Sequence, residues 1–248
     1  MSKRKIKGSV ALVTGANRGI GRALTEALIE RGAKRVYATA RDTKSLEELA
    51  GRHDGRVVPL QLDVTNAADV VGVAGRASDV ELLFNNAGVV EGKGLAGDEI
   101  VDQARREMEV NYLAPLRLLL RFADGLASRR GALVNVSSVA GLTNFAFFPT
   151  YSASKAAVHS LTQGARALLA SRGVSVFGVY PGPVDTDMAK EIAVDKASPE
   201  HVASAILDGV EAGTEDIFPD PFAAAFGAKF ESSPKGSERE LAAMVAAS

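Results

Sequence analysis

The sequence contains no cysteine, and its three histidines, His53, His159 and His201, lie far apart along the chain. The first absence excludes a disulfide framework and thiolate catalysis, and the scattered histidines do not match the ligand spacings of zinc sites. We therefore expect no metal site. Any chemistry has to come from hydroxyl, amine and carboxylate groups or from a bound organic cofactor.

The sequence also lacks long apolar runs and an excess of charge of either sign. No segment approaches the ~20 apolar residues that a transmembrane helix needs, and the N-terminus carries no signal-peptide hydrophobic region. The 29 Lys and Arg residues are interspersed with 30 Asp and Glu residues, which gives a net charge of -1. These features predict a cytoplasmic protein that binds neither nucleic acid nor a membrane surface.

Six near-continuous apolar segments alternate with helical segments along the chain. Such runs are typical of strands that are buried on both faces of a parallel sheet, and the alternation favours an α/β fold. With a weaker seventh strand at 216–218, the sequence predicts a doubly wound parallel sheet of about seven strands with helices on both faces. The six segments are 9–15, 35–40, 57–64, 81–88, 131–138 and 174–182.

The chain shows no internal repeat and no Ser- or Pro-rich linker, so we predict a single domain over residues 1–248. Helices are predicted at 20–31 and 154–171, and a glycine closes each of them. Residues 219–248 are rich in Ala, Gly and Ser and include the polar stretch SSPKGSERE. This composition predicts a loop and a terminal helix of uncertain order.

The segment VTGANRGIGRAL runs directly from the first predicted strand into a helix and contains three glycines. Glycine permits a positive φ and lets backbone N–H groups approach a pyrophosphate, whose charge the helix N-terminus favours. Tight turns also use glycine for geometry alone, but the position between strand and helix favours a dinucleotide site. The predicted contacts are Gly15, Asn17, Arg18, Gly19, Ile20 and Gly21.

The spacing TGxxxGxG, a YxxxK motif and the segment Pro181-Gly182-Pro183-Val184-Asp185-Thr186 follow one another between residues 10 and 190. In this combination and order the sequence resembles the single-domain members of the short-chain dehydrogenase/reductase family. The resemblance implies a Rossmann-like fold and a nicotinamide cofactor. The further cofactor-binding residues that it implies are Asp63, Val64, Asn86, Ala87, Gly88, Tyr151, Lys155, Pro181, Gly182, Val184 and Thr186.

The end of the second strand bears on the choice of cofactor. About 20 residues past the glycine turn, dinucleotide-binding folds distinguish the ribose 2′-hydroxyl of NAD from the 2′-phosphate of NADP. The resemblance places Ala40 where NAD-dependent members carry Asp, and Arg41 follows it. A guanidinium pairs well with phosphate, and Arg18 is predicted to face the same group. We therefore predict NADP(H) in preference to NAD(H), although both arginines are also compatible with plain exposed turns.

Tyr151 and Lys155 are four residues apart, so we expect their side chains on one face of a helix. A nearby ammonium stabilises a phenolate and lowers the pKa of a tyrosine from about 10 toward working pH. Ser138 ends the fifth strand and could orient a substrate oxygen, with Ser137 as the alternative. The resemblance adds Asn111, which would join the active site to a proton-relay water. It also implies that Lys155 holds the nicotinamide ribose.

These residues predict hydride transfer from NADPH to a carbonyl carbon, with Tyr151 as the acid. The loop 139–150 is rich in Phe and carries no charge, which favours a hydrophobic ketone or aldehyde, aromatic or alicyclic. Some of its phenylalanines could instead pack under the loop or at a subunit contact. The predicted substrate-binding residues are Ser138, Leu142, Phe145, Phe148, Tyr151 and Met188.

Two alternative functions remain open at the level of sequence. One is an NAD(P)-dependent secondary-alcohol dehydrogenase that works in the oxidative direction on the same residues. The other is a catalytically silent cofactor-binding protein, against which the intact set of predicted catalytic residues argues. The apolar helices at 116–122 and 156–169 resemble the family's four-helix dimer contact, so we expect a homodimer or homotetramer.

Overall fold

Seven parallel strands form a sheet in the order β3-β2-β1-β4-β5-β6-β7 in the computed structural model, which describes residues 4–191 and 193–246. The predicted α/β fold is confirmed, including the short seventh strand. The strand order reverses between β1 and β4, where helices leave the sheet on opposite faces and open a crevice. The strands are β1 (Val10–Val13), β2 (Arg35–Ala40), β3 (Val57–Gln61), β4 (Leu82–Asn85), β5 (Ala132–Val136), β6 (Ser175–Val179) and β7 (Asp216–Ile217).

Helices cover both faces of the sheet. The side chains of β1 alternate, so that Ala11 and Val13 join one buried apolar cluster while Val10 and Leu12 join the other. Within the described ranges, no helix is both long and apolar enough to cross a membrane. The helices are α1 (Gly19–Glu30), α2 (Glu47–Gly51), α3 (Ala67–Arg76), α4 (Ile100–Met108), α5 (Ala114–Ser128), α6 (Pro149–Leu169), α7 (Pro199–Ala212), α8 (Pro221–Ser232) and α9 (Pro234–Ala246).

Helix α6 begins at Pro149, five residues before the predicted start at 154. Proline fits the first position of a helix because its fixed φ is helical and because the N–H it lacks would have no partner there. Phe148 precedes it with a non-helical backbone, φ -135° and ψ 60°. The earlier start places Tyr151 and Lys155 within one regular helix, as their predicted relation requires.

A five-residue π-helical turn, Glu109–Leu113, joins α4 to α5. Asn111 lies in this turn and is 1% exposed. Its amide nitrogen donates to the carbonyl of Val89 and to the hydroxyl of Ser154, both at 2.9 Å, and its amide oxygen accepts from the N–H of Val89 at 2.9 Å. The wide turn is therefore fastened to the loop after β4 and to α6.

The C-terminal segment forms two helices, α8 and α9, instead of the expected loop and single terminal helix. Asp220 caps α8 by accepting from the N–H of Ala223 at 2.8 Å. Its other carboxylate oxygen accepts from the N–H of Gly182 at 2.8 Å. This buried carboxylate thus ties α8 to the turn after β6, which a reading of local composition does not reveal.

Candidate active site

The glycine turn after β1 is fixed to the end of β4, next to the point where the strand order reverses. The hydroxyl of Thr14 accepts from the N–H groups of Asn86 and Ala87 at 2.9 and 3.0 Å. The side-chain amide of Asn86 donates to the Thr14 carbonyl at 2.8 Å. Thr14, the first residue of the TGxxxGxG segment, was not among the predicted site residues, because only its long-range partners reveal its role.

The turn has no room for a side chain at its three glycines. Gly15 and Gly19 have φ of +65° and +52°, and a Cβ at Gly21 would overlap the carbonyl oxygen of Gly15. The first turn of α1 carries no acidic residue, and Arg18 at its N-cap makes no side-chain cap. Backbone N–H groups at this helix start are therefore available to an anion, and the cradle fits the pyrophosphate of a dinucleotide.

The four predicted catalytic residues lie together near the carboxyl ends of β4 and β5. Lys155 is 4% exposed, and its ammonium donates to the carbonyl of Val136 at 3.0 Å and lies 5.7 Å from the ring centroid of Tyr151. A Cβ at Gly88 would lie 3.4 Å from the Lys155 Nζ and 3.2 Å from the Asn111 Oδ1. Lys155 and Asn111 therefore flank Gly88.

The two candidate serines have different surroundings. Ser138 accepts from the N–H of Ala140 at 3.1 Å and donates to the carbonyl of Pro181 at 3.4 Å, and its hydroxyl is near enough to Tyr151 to lower the pKa of the phenol. Ser137 points the other way and donates to the carbonyl of Lys155 at 3.0 Å under α6. The structure therefore brings Ser138, and not Ser137, toward the phenol.

Burial sets the protonation of this group. It raises the pKa of Tyr151 to about 12, the charge of Glu107 acts in the same direction, and a hydrogen bond with Ser138 opposes both. Burial also lowers the pKa of Lys155 to about 8. The expected lowering of the tyrosine pKa is therefore not found, because the loss of water on burial disfavours the phenolate. Tyr151 is protonated at neutral pH, while Lys155 is still mostly charged.

The predicted phosphate-reading residues lie on the rim of the crevice. Arg18 donates to Asp187 at 2.7 Å, and both side chains are about 70% exposed (69% and 71%). Hydrogen bonds from Thr65 hold the pKa of Asp63 below its usual range, and the nearby charge of Arg41 adds to that effect. Arg41 thus lies close to Asp63, whereas Arg18 is engaged by a carboxylate of the segment after β6.

A loop after β6 spans the crevice. Val184 and Ala197 form a bridge that closes the loop at its base. Near its tip, Asp187 pairs with Arg18 from the glycine turn. Glu191 pairs with Lys93 from the loop after β4. The loop is therefore held to both walls of the crevice by exposed ion pairs.

The predicted substrate residues do not share one environment. Leu142 and Phe145 pack against α8, where the ring of Phe145 lies 5.5 Å from that of Phe226. Phe148 is half-buried at the start of α6, and Met188 is 46% exposed on the loop after β6. A cavity of about 430 Å³ lies beside this wall, lined by Leu142, Thr143, Asn144, Phe230, Pro234, Lys235 and Glu238.

A parallel sheet with a glycine cradle beside its reversal point, and a Tyr–Lys pair at the same edge, is the arrangement of a dinucleotide-dependent oxidoreductase. The family model for short chain dehydrogenases matches residues 9–197. The chain belongs to the short-chain dehydrogenase/reductase family, as the motifs indicated, and is an oxidoreductase of that family.

Three comparisons show how the chain relates to known members. It is 36% identical over 197 residues to a 3-oxoacyl-(acyl-carrier-protein) reductase of Vibrio cholerae, covering 75% of this chain and 78% of that protein. A short chain dehydrogenase from Burkholderia cenocepacia, solved in complex with NADP, superposes with a TM-score of 0.90 at 37% identity, over 96% of this chain and 99% of that one. A Sphingobium yanoikuyae short-chain dehydrogenase, solved in complex with NADPH, superposes with a TM-score of 0.80 at 27% identity, over 92% of this chain and 94% of that one.

Gly21 and Gly72 form a matched pair of helical glycines. A Cβ at Gly21 meets the backbone of Gly15 and the side chain of Asn86, whereas a Cβ at Gly72 in α3 has nothing within 4 Å. We expect Gly21→Ala to lower the free energy of unfolding by about 2 kcal/mol or more and to abolish dinucleotide binding. Gly72→Ala should raise the free energy of unfolding by about 0.5–1 kcal/mol and leave dinucleotide binding unchanged. Urea unfolding measures the stability of each variant, and cofactor titration measures its binding. Equal behaviour of the two variants would contradict the assignment of this turn as the pyrophosphate site.

Proposed function

We propose that the protein is an NADPH-dependent carbonyl reductase that converts a hydrophobic ketone or aldehyde to an alcohol. The observation that carries the proposal is the half-buried Tyr151 ring 5.7 Å from the Lys155 ammonium, on a residue whose raised pKa keeps the phenol protonated at neutral pH. A phenol that stays protonated at neutral pH is suited to give a proton to an oxygen on which negative charge develops. Reduction of a carbonyl group requires such a proton donor.

Each residue of the site then has a distinct task. The Ser138 hydroxyl orients the substrate oxygen beside the Tyr151 phenol, which donates its proton as the alkoxide forms. Lys155 stabilises the resulting phenolate through its charge. Asn111 holds the loop after β4 in place through its two bonds with Val89.

The cofactor fits the residues already described. The turn from Gly15 to Gly21 would hold the pyrophosphate, and Arg41 with Arg18 the 2′-phosphate. The ends of β3 and β4, Lys155 and the segment 181–186 would hold the remainder. When bound, NADPH supplies the hydride.

The apolar residues beside the crevice support the proposed substrate class. The loop 139–148 is largely apolar, and its Leu142 and Phe145 pack against the aromatic residues of α8. Exposed Met188 and Phe147, 46% and 49% accessible, add apolar surface at the mouth. An apolar wall of this kind favours an aromatic or alicyclic carbonyl compound over a charged 2-oxo acid. The name of the Vibrio cholerae relative, a reductase, supports the reductive direction over a secondary-alcohol dehydrogenase.

Tyr151→Phe removes the proton donor and keeps the ring. We expect kcat for carbonyl reduction to fall by at least ~10³-fold while NADPH binding stays within about threefold of wild type. NADPH oxidation with a panel of aromatic, alicyclic and aliphatic carbonyls measures the first, and fluorescence titration the second. Substantial turnover in the variant would contradict the assignment, and faster alcohol oxidation than carbonyl reduction by the wild type at neutral pH would favour the dehydrogenase. Tight cofactor binding without turnover of any substrate would favour a silent binding protein.

The preference for NADPH is supported by Arg41 and by the NADP and NADPH complexes of two similar structures. Arg18 can bind the 2′-phosphate together with Arg41 if its ion pair with Asp187 opens. This opening costs little, because an exposed ion pair contributes only about 0–1 kcal/mol.

Asp187 and Arg41 give opposite predictions for cofactor choice. Arg41→Asp should lower kcat/KM for NADPH relative to NADH by at least ~100-fold, because a carboxylate repels the 2′-phosphate. Asp187→Asn should lower KM for NADPH about two- to fivefold by freeing Arg18, and leave KM for NADH unchanged. Asp195→Asn, on the same loop, serves as the control and should change neither value. A wild type without preference for NADPH would overturn the assignment.

We further propose that the protein is a homo-oligomer, a dimer or tetramer. Leu120 on α5 and Leu168 on α6 are 71% and 77% exposed on helices that lie on the same face of the sheet. Light scattering should give at least twice the mass of one chain, and Leu120→Glu with Leu168→Glu should give a monomer. Leu95→Glu, equally exposed at 77% but on the loop after β4, should leave the mass unchanged. A monomeric wild type would contradict the proposal.

A further inference from the structure

Three arginines converge on a surface cleft at the edge of the sheet opposite the candidate active site. We propose that this cleft binds a small phosphorylated molecule through two neighbouring phosphate groups, the chemistry that inorganic pyrophosphate and nucleoside diphosphates share. The inference does not depend on the proposed carbonyl reductase activity. The cleft has a volume of about 410 Å³ and is lined by Arg4, Arg130, Ala170, Ser171, Arg172 and Gly173.

The cleft lies at the amino ends of β5 and β6, whereas the predicted catalytic residues lie near the carboxyl ends of β4 and β5. Arg130 stands just before β5, which begins at Ala132, and Arg172 stands just before β6, which begins at Ser175. Because the strands are parallel, the turns before them share one edge of the sheet, and a strand of five residues spans about 15 Å. The cleft is therefore separate from the crevice that would hold the dinucleotide.

Arg4 forms one wall of the cleft and is held in place by the turn before β6. Its Nη2 donates to the carbonyl of Gly173 at 2.8 Å, and its Nε donates to the hydroxyl of Ser175 at 3.1 Å. Within the described residues these bonds use two of the five N–H donors of the guanidinium. Arg4 therefore presents its charge at a fixed position and keeps donors available for an anion.

Arg130 forms the second wall in a backbone conformation that arginine rarely adopts. Its φ is +50°, in the left-handed region where a residue with a long side chain is strained. A Cβ at Gly173 would lie 3.4 Å from the Arg130 Cγ, so this side chain lies against the same glycine that Arg4 contacts. Over residues 4–191 and 193–246, the Arg130 side chain has no ion pair and no hydrogen bond. Neither the turn nor a protein contact therefore accounts for an arginine at this position.

Arg172 completes the set, and its counterion lies in solvent. It donates to Asp124 at 2.7 Å, and the Asp124 side chain is 97% exposed. Burial and the charge of Arg130 both lower the pKa of Arg4, so these two guanidinium groups are near enough to repel each other. Three positive charges against one exposed carboxylate leave an excess of positive charge at the cleft. A bound anion would relieve this repulsion.

The chemistry of the cleft favours phosphate groups over other parts of a ligand. A guanidinium matches two phosphate oxygens at once, and Ser171 adds a hydroxyl to the cleft. Among the described residues, none that line the cleft is aromatic, so a nucleobase would find no ring to stack on. A volume of about 410 Å³ is within the range of small-molecule sites and leaves room for more than one phosphate. We therefore expect recognition of two adjacent phosphates and little contribution from a base.

Arg129 shows what a purely structural arginine does in the same stretch of chain. Its Nη1 donates to the carbonyl of Gly125 at 3.1 Å, at the end of its own helix, where a cation is favoured. It does not line the cleft. That role engages one cation with one helix end, whereas Arg4, Arg130 and Arg172 come from three separate segments to one glycine. Arg129 is therefore the matched control for Arg130.

Calorimetric titration with inorganic pyrophosphate, inorganic phosphate and ADP tests the proposal, with NADPH present to fill the cofactor crevice. We expect pyrophosphate to bind at least ~10-fold more tightly than phosphate, and ADP to bind within about threefold of pyrophosphate. Arg130→Gln should weaken pyrophosphate binding at least ~10-fold, because it removes charge-assisted hydrogen bonds. Arg129→Gln removes the same charge one residue away and should leave binding unchanged.

Several outcomes would overturn the inference. They are the absence of pyrophosphate binding, its loss when NADPH is added, an equal loss in Arg129→Gln and Arg130→Gln, and ADP binding far tighter than that of pyrophosphate. If Arg130→Gln proves unstable, Arg172→Gln should show the same loss.

Thermal unfolding provides a second readout. Pyrophosphate should raise the Tm of the wild type and of Arg129→Gln, but not that of Arg130→Gln. The Arg130→Gln protein should keep the wild-type rate of NADPH-dependent turnover, since Arg130 lies outside the candidate active site. A wild type that binds pyrophosphate in this cleft but reduces no carbonyl compound would contradict the proposed function and leave this inference standing.

Discussion

The burial of one ammonium group constrains the architecture of the site. Lys155 is almost fully excluded from water and is bonded within the protein to the carbonyl of Val136. An ammonium so placed needs close polar neighbours, and the chain provides room for them by omitting side chains. A Cβ at Gly141 would lie 2.7 Å from the Lys155 carbonyl, and one at Gly88 would lie 3.2 Å from the Asn111 Oδ1. The turn after β5 and α6 can therefore meet only with glycine at 141, and the loop after β4 fits tightly at Gly88.

The same burial shifts the pKa values of both Lys155 and Tyr151. Water that would screen a charge is excluded, so Lys155 shifts its own pKa downward and Tyr151 shifts upward. On the rim, where Arg18 and Asp187 lie in solvent, an equal charge has a weak and salt-dependent effect. The residues proposed for proton transfer thus lie in a water-poor region, and the arginines proposed to distinguish NADPH from NADH lie at the surface. On this proposal, reaction chemistry and cofactor choice could vary independently.

Local sequence was sufficient for the sheet and for the residues at its edge. Buried strands read as apolar runs, and because all strands are parallel, motifs that follow different strands meet at one edge. Contacts between residues far apart along the chain could not be predicted from local sequence. Arg18 and Asp187 are 169 residues apart and Asp220 and Gly182 are 38 apart, so neither pairing leaves a local pattern. The burial of Glu107 was not predicted for a related reason, since an acid on an amphipathic helix normally indicates a solvated face.

The π-helical turn at Glu109–Leu113 sets the rotation of α5 about the helix axis relative to α4. Each residue advances an α-helix by about 100°, so rewinding this turn to α-helical geometry with the same residues would rotate α5 by about that angle relative to α4. Leu118 and Phe122, which are buried under the sheet, would then turn away from the core. The packing of α5 therefore keeps the turn wide, and the wide turn keeps Asn111 beside Gly88. The rotation that this turn imposes therefore fixes two things at once, the position of Asn111 beside Gly88 and the burial of Leu118 in the core.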